Sequence, residues 1–204
     1  MMEAEPGYVV IDTETTGLPH MHADVGAVQL GMVLVWQGMI QDSWQIMVRP
    51  GRWPPPDVYL QALAVHKLSR ERIEAEGVPP LVAWNAMQAY WARWQAIVPV
   101  LHPLAWNARF DVEILARLAG IPGLVFPDAP LGIRAKLDTA PGGCLMRAWQ
   151  GWRKGQVIKA DRKHVKKSLE FARKHHAITS DRPAHDALVD ATVAGEVLIC
   201  MQKA

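Results

Sequence analysis

The apolar positions come in short, differently spaced runs, and each spacing predicts an element. Tyr8 to Asp12 is a β-branched run ending in Thr-Glu-Thr-Thr-Gly, the pattern of a buried strand entering a turn. Val25 to Trp36 is apolar at both parities, so a strand there is covered on both faces and central in its sheet. Ser43 to Val48 supplies a third strand after a turn near Gln37-Gly38, and the close spacing implies an antiparallel meander. The proline run from Pro50 to Asp57 stops regular structure, because proline lacks the donor a ladder needs. Two short helices follow, near 58–65 and 69–76. From Pro79 to Val98, Trp84, Met87, Trp91, Trp94 and Val98 recur at three- and four-residue steps, one apolar stripe of a long helix. Such a stripe is most often core; a partner-binding face is the alternative. A strand at 101–106 leads to a helix at 108–118, stopped by Gly120 and Pro122. A fifth strand is expected at 135–138, with helices near 144–149, 168–176 and 184–201. Strands in a meander and then alternating with helices predict a mixed α/β sheet flanked by helices, in one domain spanning residues 1–204.

Composition narrows the class. Half of the 204 residues are apolar and 21% are charged, which excludes disordered, collagen-like and coiled-coil chains. Two cysteines, Cys144 and Cys200, cannot build a disulfide framework, so a reducing, cytoplasmic setting is expected. The first seven residues do not read as a signal peptide, and the longest apolar stretch, Val25 to Ile40, is too short and too interrupted to span a bilayer. The overall charge of +2 conceals an asymmetry. Between Arg153 and His176 nine Lys/Arg face two acids, a local +7 that leaves the remainder at −5. This is the footprint of a polyanion-binding edge or, more blandly, of a solvated helix and loop face.

The candidate chemistry lies in acids at element ends. Asp12 and Glu14 stand two apart at the end of the first strand, and period-two alternation aims both at one face if the strand reaches Glu14. Converging carboxylates repel unless protons or a cation neutralise them, and hard divalent metals with oxygen ligands are the usual answer. A turn role for Asp12 beside Gly17 is the plainer reading. Asp111 opens a helix, where an acid also suits the macrodipole. Asp190 interrupts an otherwise apolar helix and there needs a cation or a donor. His185 falls at the junction before that helix, where a histidine is commonly a cap or solvated.

Three motifs in order, Asp12-Thr-Glu14-Thr-Thr-Gly17-Leu18, Asn107-Ala-Arg-Phe110-Asp111 and His185-Asp-Ala-Leu-Val-Asp190, resemble those of the DEDDh (DnaQ-like) 3′–5′ exonucleases, which include the polymerase III epsilon-type proofreading enzymes. The likeness runs from Tyr8 to Leu198. It implies a ribonuclease H-like fold with a mixed five-stranded sheet and helices around it. It also implies a centre of two Mg²⁺ or Mn²⁺ ions, about 4 Å apart, on Asp12, Glu14, Asp111 and Asp190. His185 would be the general base, an imidazole having an ordinary pKa of about 6.5. Thr15, Leu18, His66, Asn107 and Phe110 are the implied contacts to the terminal nucleotides, although Leu18 and Phe110 also suit packing. Lys163, Lys166 and Lys167 are charge-based candidates for phosphate contact that the resemblance does not single out. The chain departs from the pattern twice: Gln29 stands where an acid is frequent, and Trp106 where histidine is common. Asp186, Glu113 and Asp138 neighbour the motifs and are assigned surface or structural roles.

These readings converge on a metal-dependent 3′–5′ exonuclease for single-stranded or frayed DNA, with nucleic acid as partner, no membrane, and a polymerase or repair partner in trans compatible with the chain. An exoribonuclease of the same family, or a catalytically silent assembly module, are the alternatives.

Overall fold

The computed structural model describes residues 5–131, 139–156, 167–179 and 184–203. Three strands, β1 (Gly7–Thr15), β2 (Ala27–Trp36) and β3 (Met39–Met47), form the expected meander, and β4 (Leu101–Ala105) joins it. The order is β3-β2-β1-β4, with β1 antiparallel to β2 and parallel to β4. Helices α1 (Pro56–His66), α2 (Arg70–Glu76) and α3 (Pro80–Gln95) separate β3 from β4, and α4 (Ala108–Ala119) follows it. Beyond α4 come β5 (Ala129–Pro130), β6 (Thr139–Ala140), α5 (Leu145–Gln156), α6 (Leu169–His175) and α7 (Ala187–Lys203).

The expected five-stranded sheet is corrected to four strands among the described residues. The segment proposed as a fifth strand, 135–138, lies outside those residues. Just after it, Thr139–Ala140 pairs with Ala129–Pro130 in a separate two-residue ladder. The proline run ends by starting α1, because Pro56 takes a first-turn position where a missing N–H costs nothing.

Strands β1 and β2 are buried on both faces, as the unbroken apolarity of β2 requires, while the edge strand β3 is exposed at alternate positions over its first half. On one face Val9, Ile11, Leu30, Met32 and Leu34 pack against Met87 and Trp94 of α3 and Ile114, Leu115 and Leu118 of α4. On the other, Tyr8, Val10, Val33 and Val35 meet Trp149 of α5 and Ala191, Ala194, Val197 and Leu198 of α7. The tryptophan stripe is therefore core: Trp94 is fully buried and its Nε1 donates to Asp42 at 2.9 Å, while Trp84 and Trp91 are half-buried at the margin.

Strand lengths create the place for a site. The parallel ladder of β1 with β4 ends at Ile11–Ala105, yet β1 runs on through Thr15. Its last four residues project past β4, and the first turn of α4 fills the space. On the far face, α7 reaches the same end of β1 through small residues. Crevices beyond strand ends where connections diverge are the usual ligand positions of such sheets.

Candidate active site

Asp12 and Glu14 emerge from the projecting end of β1, paired across the sheet with Gly31 and Gln29. The strand does reach Glu14, so both carboxylates point to the α7 face. A bulge immediately after Glu14 turns Thr15 out of register and starts the turn. Asp111 comes from the first turn of α4, is 3% exposed, and accepts a 2.9 Å hydrogen bond from Thr13 Oγ1. Asp190 comes from the first turn of α7, where its Oδ2 accepts the backbone N–H of His185 at 3.2 Å. Ligand atoms of Glu14, His185 and Asp190 lie within 4.8 Å of one another. The end of β1, the first turn of α7 and the residue pair before it thus bring Glu14, Asp190 and His185 together, and β1 and the first turn of α4 add two buried acids, Asp12 and Asp111, to the same electrostatic field.

The electrostatics of this arrangement are unfavourable without a counter-charge. Burial, then the neighbouring Asp190, Asp186 and Asp111, push Glu14 up to about 8. Burial lifts Asp111 to about 7 despite the opposing hydrogen bond from Thr13. Asp12 is raised well above the ordinary range by burial, then by Asp111, Glu14 and Asp190. Asp190 is also raised by burial, with the N–H and charge of His185 acting the other way. An all-oxygen set of acids that holds protons near neutrality, beside one imidazole, fits hard divalent cations, which relieve the repulsion by replacing those protons.

The predicted substrate residues divide. Thr15, Leu18, His66 and Phe110 line a cleft of about 330 Å³ adjoining Glu14, together with Met21, Val58, Gln61 and Val65. Leu18 is 48% exposed at its rim. His66 is buried, and both ring nitrogens are engaged: Nδ1 accepts the N–H of Leu68 at 3.2 Å, so Nε2 carries the proton and donates to Thr15 O at 3.2 Å. Burial accordingly lowers its pKa. The Thr15 hydroxyl is similarly occupied, donating to Gly17 O at 2.7 Å. These two groups shape the cleft and leave its contacts to apolar side chains.

Asn107 does not line that cleft. It borders a second, open groove of about 680 Å³ with Arg109, Arg147, Gln150 and Lys167. Lys167 is the one predicted lysine among the described residues; Lys163 and Lys166 lie outside them. Trp106, where the pattern commonly has histidine, is buried and fixes Lys167 by donating from Nε1 to its carbonyl at 3.0 Å.

Sequence reasoning missed several contributors. Arg117 reaches four carbonyls, those of Pro19, His22, Ala23 and Val25, and so pins the loop behind Leu18. Glu113 holds Arg117 through a 3.0 Å ion pair, a structural role as expected. Arg109 and Arg147 carried no signal beyond their charge. Asp186 is structural too, but its bonds reach further than a cap. Its Oδ1 accepts the N–H groups of Leu188 and Val189 and the amide of Gln45, and its Oδ2 accepts the amide of Gln29.

The fold is shared with solved 3′-exonuclease structures, and in fold the resemblance read from the three motifs is borne out. Exonuclease X in complex with 5′-overhanging duplex DNA superposes with a TM-score of 0.57 at 21% identity, over 96% of this chain and 91% of that one. E. coli ExoI in an ssDNA complex gives 0.69 at 15% identity, covering 98% of this chain and 41% of that one. The nuclease domain of 3′hExo, a DEDDh family member bound to rAMP, gives 0.65 at 12% identity, over 98% and 92%. No protein-family model and no curated protein sequence matches the chain. No helix among the described residues is long and apolar enough to cross a membrane.

Proposed function

We propose that this chain is a divalent-metal-dependent 3′–5′ exonuclease that removes 5′-nucleoside monophosphates from single-stranded or frayed DNA 3′ ends. One observation carries the reading: Glu14, Asp190 and His185 bring ligand atoms within 4.8 Å of one another next to an apolar cleft, and the buried Asp12 and Asp111 lie close enough to share their electrostatic field. A catalytically silent assembly module has no need of that convergence.

Asp12, Glu14, Asp111 and Asp190 are the residues that would hold the cations. Bound divalent ions supply charge neutralisation at the scissile phosphate, a more acidic water and stabilisation of the departing 3′-oxygen. The remaining work falls to the chain. The 330 Å³ cleft takes the terminal nucleoside between Leu18, Met21, Val65 and Phe110. The polar groups of His66 and Thr15 are already satisfied and most of the cleft lining is apolar, so it grips chiefly by stacking and apolar contact, which tolerates any base. Unpaired ends fit, because a terminal base must leave its partner to enter. His185 accepts a proton from the attacking water as the new P–O bond forms and the bond to the 3′-oxygen breaks. The departing 3′-oxygen takes up a proton from solvent to become the new 3′-hydroxyl, and His185, being exposed, returns its own proton there. Arg109, Arg147 and Lys167, none of which has an ion-pair partner among the described residues, offer the upstream phosphates a cationic track.

DNA is taken over RNA as substrate on the DNA complexes of exonuclease X and ExoI, while 3′-exonuclease structures on a histone mRNA stem-loop and rAMP support the exoribonuclease alternative. The test is a 5′-labelled DNA oligonucleotide and its RNA counterpart, incubated with Mg²⁺, Mn²⁺ or chelator. A metal-dependent ladder shortening from the 3′ end of DNA is expected. A ladder on RNA alone would make the chain an exoribonuclease. No ladder on either, with binding retained, would favour the assembly module.

A further inference from the structure

Gln29 stands where the resembling family often has an acid, and the structure gives it specific partners. It lies on β2 opposite Glu14 and is 5% exposed. Its Oε1 accepts the N–H of Ala187 at 2.9 Å, and its Nε2 donates to Asp186 Oδ2 at 3.2 Å. These partners fix the amide's orientation, since an N–H demands the oxygen and a carboxylate demands the nitrogen. From β3, Gln45 Nε2 donates to Asp186 Oδ1 at 3.0 Å. The same Oδ1 caps α7 through the N–H groups of Leu188 and Val189, at 3.1 and 3.2 Å. Between the two glutamines, Gly31 lets the helix sit on the sheet: a Cβ there would fall 2.3–2.4 Å from the backbone of Ala187 and Leu188.

We propose that Gln29, Gln45 and Asp186 form a clasp that sets the position of His185, with Gln29 a positioning residue whose amide is required by the carboxylate at 186. His185 directly precedes the clasped residue and has a φ of +65°, a conformation that non-glycine residues hold only when their surroundings impose it. Asp190 follows one turn later, its N–H donating to Asp186 O at 2.9 Å. Both groups therefore take their positions from the anchoring of residue 186 to the sheet. A glutamate at 29 could still accept the Ala187 N–H, but its second oxygen would repel Asp186 Oδ2 unless one of the two carboxylates took up a proton, which costs free energy near neutral pH. The acid frequent in the family is thereby disfavoured here.

The inference rests on the exonuclease reading, and a reciprocal exchange tests it separately. In Asp186→Asn the side-chain oxygen can keep the cap and the Gln45 bond, but its NH₂ then faces the NH₂ of Gln29. In Gln29→Glu two carboxylates face each other. In the double variant the amide at 186 donates to the carboxylate at 29 and the clasp is restored with its polarity reversed. Each single variant is expected to lower kcat on a labelled single-stranded oligonucleotide by about 10- to 100-fold, the scale of a misplaced catalytic group. KM should stay within about twofold, because the binding cleft is elsewhere, and the double variant should return to within about threefold of wild type. Mn²⁺ titration by calorimetry gives a second readout: weaker binding in each single variant and recovery in the double, since Asp190 moves with the clasp. Should Q29E fail to fold, Gln45→Glu places the same repulsion at a half-buried position and should lower kcat alike. An active wild type whose Q29E variant keeps its kcat, or a folded double variant as impaired as the singles, would overturn the clasp and leave the nuclease reading intact. A wild type inactive on every substrate would remove both.

Discussion

Without divalent metal this protein should lose stability as pH rises, and the site gives the size of the effect. Glu14 is held at about 8 against an ordinary 4.5, and Asp111 at about 7 against 3.8. At about 1.4 kcal/mol for each tenfold change in proton affinity, either group alone represents on the order of 4 kcal/mol. The two share one field with Asp12 and Asp190, so the contributions do not add, and a few kcal/mol is the usable figure. The sign follows from proton counting. Between pH 4.5 and 8 the folded, metal-free site binds more protons than the unfolded chain, so stability falls as pH rises. This contribution is complete below the unfolded pKa values and gone above about pH 8. Thermal melts in chelator from pH 5 to 9 at fixed ionic strength would read it. For a chain of this size, about 3 kcal/mol corresponds to roughly 10 °C of Tm. Saturating Mg²⁺ or Mn²⁺ should flatten the slope, because the cations replace the protons. At about 100 times the dissociation constant they add roughly 2.7 kcal/mol. The increment should therefore be larger at pH 8 than at pH 6. A chelated protein whose Tm is flat or rising between pH 6 and 8, or one indifferent to both metals, would refute the electrostatic account of the site.

Asp12→Asn should reduce turnover by at least about 10³-fold while raising the Tm of the chelated protein at pH 8, because it removes one of the mutually repelling acids; a loss of both activity and stability would assign Asp12 a structural role. Gly31→Ala drives a methyl into the backbone of Ala187 and Leu188 and should cost about 1–3 kcal/mol by chemical denaturation, with kcat falling further than the stability loss explains. Replacing Arg109, Arg147 and Lys167 together by alanine should weaken single-strand binding in low salt and reduce the slope of log K against log salt by about 0.7 for each phosphate no longer neutralised, leaving cleavage of a dinucleotide unchanged. An unchanged salt slope would remove the groove from the substrate path.

The parts of this protein that are legible in its sequence are those set by local periodicity. Alternation along β1 puts Asp12 and Glu14 on one face, and apolarity at both parities places β2 in the sheet interior, because each follows from neighbours two residues apart. The tryptophan stripe of α3 is readable as core from an equally local signal, its three- and four-residue steps. Groups whose meaning depends on a distant partner are not legible. The family likeness makes His66 a substrate contact, but its ring bridges Thr15 and Leu68, and no local pattern reports that both nitrogens are occupied. Arg109, Arg147 and Lys167 come from three separate segments, so their shared groove has no signature in any one of them.

Gln29 and Asp186 show where single-position reading fails. Taken alone, Gln29 is a missing acid and Asp186 a spare one, and each looks neutral because neither belongs to the metal set. In the fold they are partners 157 residues apart, and the missing charge at one position accommodates the charge at the other. Transferring the family's acid onto residue 29 would be conservative by sequence and repulsive in this structure. The same reasoning extends to the acids of the site: Asp12, Glu14, Asp111 and Asp190 are individually ordinary at a strand end or in a helix first turn, where a turn or a macrodipole explains them. Only their convergence makes each one's charge a cost to the others, and that shared cost is what a divalent cation removes.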